Sequence, residues 1–312
     1  MVYHTYSFGV IFVLLFLFFT VAMFNLVFSK VAFADMMADS PVTFPNEGAL
    51  PAKYPPDQSW RPAQPAIEGE VSEEGYYIYN TPIRSLAQIA TIQAEMPKGK
   101  FTPPPSDWTN LQRTRHILTE GGTLRIFAMG DSIVSDTMRS DWVAKLGEFY
   151  PKADIRATVY VRGGGGCQHY KEENRIAKHV IPRKPDLVFI DGISQKDMDS
   201  IREVIHQLRS ALPEVEILLA SGTFGTADPR SPEELAKAPH SGTGDYGKSL
   251  KKLAVEERCA YLDMTTPWAE YIRSTNMHPH VFYRDRVHAN EYGEQILSKI
   301  LMVFWGSSND SK

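Results

Sequence analysis

Short apolar runs alternate with amphipathic helical patterns over residues 124–305 of this 312-residue chain. Strands that alternate with helices of this length pair in parallel, with helices on both faces of the sheet. The sequence therefore predicts an α/β fold around a central, mostly parallel five-stranded sheet, and ligands of such sheets bind at the carboxyl ends of the strands. The predicted strands are 124–129, 155–161, 186–190, 215–220 and 260–263, and the predicted helices are 133–149, 197–212, 249–258 and 289–305.

The part of the chain before this alternation predicts export and a tether. Residues 8–28 form an apolar run of about the length that spans a bilayer, and Ala32-Phe33-Ala34 follows it like a signal-peptidase site. We expect residues 1–34 to be a signal peptide that is removed before Asp35, with a retained membrane anchor as the alternative. The protein is then exported, to the periplasm or the extracellular space, and meets a membrane only through this segment.

The remaining boundaries follow from composition. Residues 35–75 are rich in proline and small polar residues and predict a linker. Residues 76–120, which include a predicted helix at 83–95, predict an N-terminal extension packed on a catalytic domain at 121–306, and 307–312 form a tail. Cys167 and Cys259 are the two cysteines. They are able to pair in an exported protein, but we favour two buried free thiols.

Charge excludes one class of partner. The formal net charge is -4 and no basic run is present, so the chain lacks the cationic footprint that binds phosphate backbones. We expect no nucleic-acid partner. Four consecutive glycines, 163–166, are not followed by the Lys-Ser/Thr of a phosphate loop, and His169, His278 and His280 lack regularly spaced acidic or cysteine ligands. We therefore expect neither a cofactor nor a metal.

Ser132, in Gly130-Asp131-Ser132-Ile133, follows a predicted strand and precedes a predicted helix. Its hydroxyl would lie near a helix N-terminus, where free N–H groups favour developing negative charge. Asp and Ser are also preferred helix caps, so this motif alone does not distinguish a nucleophile from a cap.

Asp285 and His288, in Asp285-Arg286-Val287-His288, supply the groups that a serine nucleophile needs. An Asp three residues before a His is able to reach its Nδ1 while Nε2 faces the serine. The carboxylate then sets the tautomer of the base that takes the serine proton. Together the three residues predict a catalytic triad.

These motifs resemble those of the SGNH (GDSL-type) hydrolase superfamily over about residues 124–305, with a carbohydrate-esterase-like member as the nearest type. The resemblance implies a flavodoxin-like three-layer α/β/α fold and ester hydrolysis through an acyl-enzyme. It places the nucleophile at Ser132 and the acid-base pair at Asp285 and His288. It also implies an oxyanion hole that contains the backbone N–H of Ser132 and of one glycine in the run, with Gly166 favoured and Gly165 or Gly164 possible.

The third motif of the family, Gly-x-Asn-Asp, is replaced here by Gly192-Ile193-Ser194-Gln195. Ser194 occupies the position of the family's oxyanion asparagine, and its shorter side chain reaches less far. Gln195 is an alternative donor, directly or through water. Three residues are candidates for contact with substrate: Gln195, Asp136, one helical turn beyond Ser132, and Arg162, which could bind a carboxylate or sulfate. For Asp136 a solvated helix position, and for Arg162 a structural ion pair, are the alternatives.

Taken together, these observations predict an exported serine esterase that removes small acyl groups, above all acetyl, from a small-molecule ester or an acylated polysaccharide. The alternatives are a cell-envelope O-acyltransferase with the same triad, a lipase or thioesterase of the same family, and a binding module that has lost activity.

Overall fold

The computed structural model describes residues 70–73, 75–195, 197–222, 228–233, 245–285 and 287–306, with the backbone alone for 70–73. These residues belong to one of the two units into which the chain divides, Val42–Lys312. The predicted export segment, most of the linker and the C-terminal tail lie outside the described residues. Among the helices of the described ranges, none is long and apolar enough to cross a membrane.

A seven-stranded sheet forms the centre of the structure, in the order β1-β2-β4-β3-β5-β6-β7. The strands β3 to β7 pair in parallel and have the flavodoxin-like order, so the predicted parallel five-stranded sheet is confirmed. The strands are β1 (Glu70–Glu73), β2 (Tyr76–Thr81), β3 (Gly122–Gly130), β4 (Ala153–Arg162), β5 (Leu187–Ile190), β6 (Glu216–Ala220) and β7 (Ala260–Leu262).

Two further strands extend the sheet beyond the prediction. Strand β2 pairs antiparallel with β4, and β1 pairs antiparallel with β2. The last residues assigned to the linker, 70–73, therefore lie in the sheet, because β2 leaves a free edge for them to pair with. The extension predicted at 76–120 contributes a strand to the catalytic sheet itself, and its start lies at the carboxyl end of β4.

Helices cover both faces of the sheet, which confirms the three-layer fold. The N-terminal and C-terminal helices pack on one face, where Trp142, Trp268 and Trp305 are fully buried, and two helices from the middle of the chain pack on the other. Strands β5 and β6 are apolar and buried on both faces, as expected between two helical layers. The helices are α1 (Leu86–Glu95), α2 (Gln112–Glu120), α3 (Ser132–Arg139), α4 (Trp142–Phe149), α5 (Cys167–Tyr170), α6 (Met198–Ala211), α7 (Asp245–Glu256), α8 (Thr265–Thr275) and α9 (Glu291–Phe304).

The single helix predicted at 133–149 was wrong, because the chain breaks into α3 and α4 at Asp141. Asp141 has a left-handed backbone, with φ of 56°. Its buried carboxylate accepts hydrogen bonds from the backbone N–H groups of Ile83 and Arg84 and from the Arg84 guanidinium. Helical periodicity continues across the break, so contacts with a distant segment, and not local propensity, interrupt the helix.

Candidate active site

Ser132 lies where β3 passes into α3, at the carboxyl edge of the sheet. Asp131 caps the helix: its carboxylate accepts the N–H of Ile133 at 2.9 Å. The same carboxylate accepts the N–H groups of Ile193 and Ser194, at 2.7 and 2.6 Å. The nucleophile candidate and the third motif, which follow neighbouring parallel strands, are therefore joined through one buried side chain.

Ser132, His288 and Asp285 form a continuous chain of hydrogen bonds. The Oγ of Ser132 is 2.7 Å from Nε2 of His288, and Nδ1 of His288 is 2.7 Å from Oδ2 of Asp285. An ionised carboxylate only accepts, so Nδ1 carries the proton and Nε2 is left to accept the serine hydroxyl. His288 is buried, which holds its ring in this orientation.

Asp285 is held in its ionised form. Partial burial raises its pKa, but the hydrogen bond and charge of His288 and the N–H groups of Val287 and His288 outweigh burial and lower the pKa to about 2. The aspartate therefore remains an acceptor across the physiological pH range, as the imidazole requires.

The glycine run provides the candidate backbone donors of the oxyanion hole. The N–H of Gly165 is used in a turn, where it donates to the carbonyl of Arg162 at 2.9 Å. Gly166 caps α5, and the described contacts give its N–H no acceptor within the protein. A Cβ at Gly166 would lie 2.8 Å from the Ser194 carbonyl, so only glycine fits there without a shift. This geometry favours Gly166 over Gly165 as the oxyanion donor.

The third motif supports the oxyanion loops from behind. The hydroxyl of Ser194 donates to the Asp131 carboxylate, and Oε1 of Gln195 accepts the N–H of Cys167 at 2.9 Å. Gln168 completes the link by donating from Nε2 to the Ser194 carbonyl at 3.0 Å. Ser194 and Gln195 therefore fix the loops around Gly166, and the side-chain donor that the family's asparagine supplies has no equivalent in their contacts.

A second buried carboxyl group, Asp191, lies beside Asp131 and has a raised pKa. Burial and the charge of Asp131 raise the pKa of Asp191 to about 8, against the opposing N–H of Gly192. Oδ2 of Asp191 is 3.1 Å from the hydroxyl of Thr137, which also lies 3.0 Å from the Ile133 carbonyl. The Thr137 hydroxyl donates to Asp191, and this bond lowers the pKa of Asp191 without offsetting the effect of burial.

Asp191→Asn is expected to stabilise the fold at pH 8 and to change little at pH 4. In the unfolded chain the Asp191 carboxyl loses its proton near pH 4, whereas in the fold it keeps the proton to about pH 8. The unfolded state then binds fewer protons, so stability falls as pH rises between these values, by a few kcal/mol. Asn has no ionisable group and therefore no such dependence. Urea unfolding at the two pH values measures this, and an equal effect at both would contradict a raised pKa of Asp191.

Asp136 is fully buried, so it is not the solvated helix residue of the alternative, and it binds the loop that carries the acid-base pair. Its Oδ1 accepts from Nη1 of Arg284 at 2.7 Å, and its Oδ2 accepts the N–H of Ala289 at 3.0 Å. Arg284 also donates from Nη1 to the Ala289 carbonyl and from its backbone to the His288 carbonyl. Asp136 therefore holds both ends of the loop that contains Asp285 and His288.

The other predicted residues are placed as follows. Arg162 ends β4 and is half-buried, and Nη1 lies 3.0 Å from Nε2 of His169. Cys167 and Cys259 are buried free thiols, and burial raises their pKa values to about 12 and about 11. His278 and His280 face each other, with their Nδ1 atoms 2.6 Å apart. Among the described side chains no group of three or more His, Cys, Asp or Glu is suited to a metal ion.

Sequence reasoning missed three supports of the site. Arg284 precedes the acid-base motif, Asp191 precedes the third, and Tyr170 donates from its hydroxyl to the Gly130 carbonyl at 2.5 Å, just before Asp131. For Arg284 and Asp191, the only signal in the sequence was their position directly before a motif. Tyr170 lies outside every motif and had no signal.

Comparison with known proteins identifies the fold. No protein-family model and no curated protein matches the chain. A two-domain esterase active on acetylated mannans matches with a TM-score of 0.51 at 13% identity, over 66% of this chain and 55% of that one. A protein described as a GDSL-like lipase from Parabacteroides merdae matches with a TM-score of 0.46 at 16% identity, over 59% and 95%. An extracellular lipase from Streptomyces rimosus matches with a TM-score of 0.39 at 12% identity, over 59% and 100%. The chain has the SGNH (GDSL-type) hydrolase fold.

Proposed function

We propose that this chain is an exported serine esterase that hydrolyses small acyl esters, above all acetyl esters on a carbohydrate. The observation that carries the proposal is the hydrogen-bond chain from Asp285 through His288 to the Ser132 hydroxyl, with both links at 2.7 Å. It lies at the carboxyl edge of a parallel sheet, where ligands of this fold class bind. Residues 8–34 support export.

The reaction proceeds in two halves. Ser132 Oγ attacks the ester carbonyl while His288 Nε2 takes its proton, and the N–H groups of Ser132 and Gly166 stabilise the oxyanion. His288 then protonates the leaving sugar hydroxyl as the C–O bond breaks, which leaves an acyl group on Ser132. Water, deprotonated by His288, attacks the acyl-enzyme, and the proton returns to Ser132 as the acid departs. Asp285 stabilises the imidazolium in both halves.

A two-donor oxyanion hole fits small acyl groups on activated or well-positioned esters. Loss of one donor typically costs about 3 kcal/mol of transition-state stabilisation. Positioning by the rest of the substrate compensates for such a loss, since binding energy from remote groups lowers the barrier. This argument favours a polymeric or oligomeric substrate. The two-domain esterase of similar fold is active on acetylated mannans, which supports the same choice.

Hydrolysis of p-nitrophenyl esters of increasing acyl length tests the acyl preference. The acetyl assignment requires kcat/KM to be highest for acetate and to fall with chain length. Fastest turnover on chains of about eight carbons or more would overturn the acetyl assignment.

Incubation of an acetyl donor with glycan acceptors distinguishes hydrolysis from transfer: acetylated sugar in place of free acetate would favour an acyltransferase.

A further inference from the structure

A cavity at the amino end of the sheet lies apart from the candidate active site. It has a volume of about 450 Å³, and arginines from three separate elements line it: Arg125 of β3, Arg156 of β4 and Arg183 of the 3-10 turn Ile181–Arg183. Arg125 comes seven residues before Ser132. A strand rises about 3.3 Å per residue, so about 20 Å separates these two residues. We call this feature the arginine cavity.

The pairing of the strands places two of these arginines side by side. Arg125 and Arg156 are partners in the parallel pairing of β3 with β4, so their side chains leave the same face of the sheet. Thr158 follows on that face and donates from Oγ1 to Oδ1 of its partner Asn80 at 3.0 Å, which leaves the Asn80 amide nitrogen as a donor in the cavity lining. Like charges directly opposite each other in a sheet are destabilising. The two arginines therefore favour an anion between them.

Both strand arginines keep donors that the protein's own carboxylates do not use. Arg125 donates from Nη1 to Asp186 at 3.2 Å, and Arg156 donates from Nε and Nη2 to one oxygen of Asp154, at 2.9 and 2.7 Å. Among the described contacts, Nη2 of Arg125 and Nη1 of Arg156 have no protein acceptor. Asp186 is shared with Arg113, and none of the described residues that line the cavity is acidic. The arginine cavity therefore carries an excess of positive charge.

We propose that the arginine cavity is a second binding site, which takes the phosphate or sulfate group of a small sugar ester. Guanidinium groups from three elements surround the anion, and such an ester presents three free oxygens where a carboxylate presents two. The cavity is larger than the anion alone requires and lies within the range of ligand pockets, about 300–1,000 Å³. The Asn80 amide is then a donor to the sugar. The site is independent of the proposed esterase function, because no group of the triad takes part.

Calorimetry with glucose 6-phosphate, glucose 6-sulfate, glucuronate and glucose tests the class of ligand. We expect one of the two esters to bind at least about tenfold more tightly than glucuronate, and glucose not to bind; the tighter ester identifies the anion. Arg125→Gln and Arg156→Gln are each expected to weaken binding of that ester by about ten- to hundredfold, the usual loss for a charge-assisted hydrogen bond. Arg113→Gln is the matched control, because Arg113 shares Asp186 with Arg125 but does not line the cavity. It is expected to bind the ester like the unmodified protein.

Thermal unfolding at constant ionic strength gives a second readout, because a ligand that binds only the folded state raises the unfolding midpoint. The tighter ester is expected to raise the midpoint of the unmodified protein and of Arg113→Gln, but not that of the Arg125→Gln/Arg156→Gln double variant. Unfolding without ligand shows whether each variant is folded. Three results would overturn the site: glucuronate binding as tightly as the esters, equal weakening by Arg113→Gln, or no binding of either ester to the unmodified protein.

Discussion

Replacing Ser132 by alanine is expected to lower kcat for p-nitrophenyl acetate by about 10⁶-fold, the scale seen when a triad nucleophile is removed. The variant keeps its fold, because Ser132 stabilises α3 only through its backbone while Asp131 supplies the cap. His288 keeps its bond to Asp285, so a small rate from water attack remains. Steady-state kinetics measure the loss.

Ser135→Ala is the control for the Ser132 substitution, since Ser135 lies one turn along the same helix and bonds to the hydroxyl of Tyr79. It is expected to keep activity within a few-fold of the unmodified protein. Mass spectrometry after treatment with a serine-reactive phosphonate adds a direct readout: one label on the unmodified protein and on Ser135→Ala, and none on Ser132→Ala. Ester hydrolysis that survives Ser132→Ala at the original rate would rule out Ser132 as the nucleophile.

The parallel sheet was predictable because burial dictates its sequence pattern. Strands β5 and β6 are apolar on both faces, and periodicity reveals helices such as α6, which bury one stripe. The antiparallel strand β2 was not predictable in the same way. Its residues read as an aromatic cluster, and their conformation is set by pairing with β4, which depends on contacts distant in sequence.

The candidate site was likewise predictable only in part. Ser132, Asp285 and His288 were predicted as a group because a serine nucleophile requires a base and an orienting acid, and the fold brings them within hydrogen-bond distance. The roles of Ser194 and Gln195 could not be read from the motif. The direction in which these side chains point depends on their hydrogen-bond partners, which are Asp131 for Ser194 and the N–H of Cys167 for Gln195. Those partners lie elsewhere in the sequence, so the motif alone does not reveal them.

Replacing Asp136 by alanine is expected to lower kcat by about 100-fold with little change in KM. Asp136 fixes both ends of the loop that carries the acid-base pair, through Arg284 and the N–H of Ala289. Without it, His288 is free to shift relative to Ser132, and a displacement of about 1 Å between reacting groups typically costs about 100-fold in rate. Substrate contacts are untouched, so KM changes little.

Asp186→Asn separates this positioning effect from a loss of stability. Asp186 is also a buried carboxylate, bound by Arg113 and Arg125, but it lies at the amino end of β5, away from Ser132. Removing either charge is expected to lower the free energy of unfolding, because each substitution leaves at least one arginine without its carboxylate partner. Only Asp136→Ala is expected to lower kcat and to slow phosphonate labelling of Ser132, and Asp136→Asn, which keeps an oxygen for Ala289, is expected to recover part of both rates. If kcat falls in proportion to the free energy of unfolding in both the Asp136→Ala and the Asp186→Asn variants, Asp136 supports only the fold and does not set the distance between His288 and Ser132.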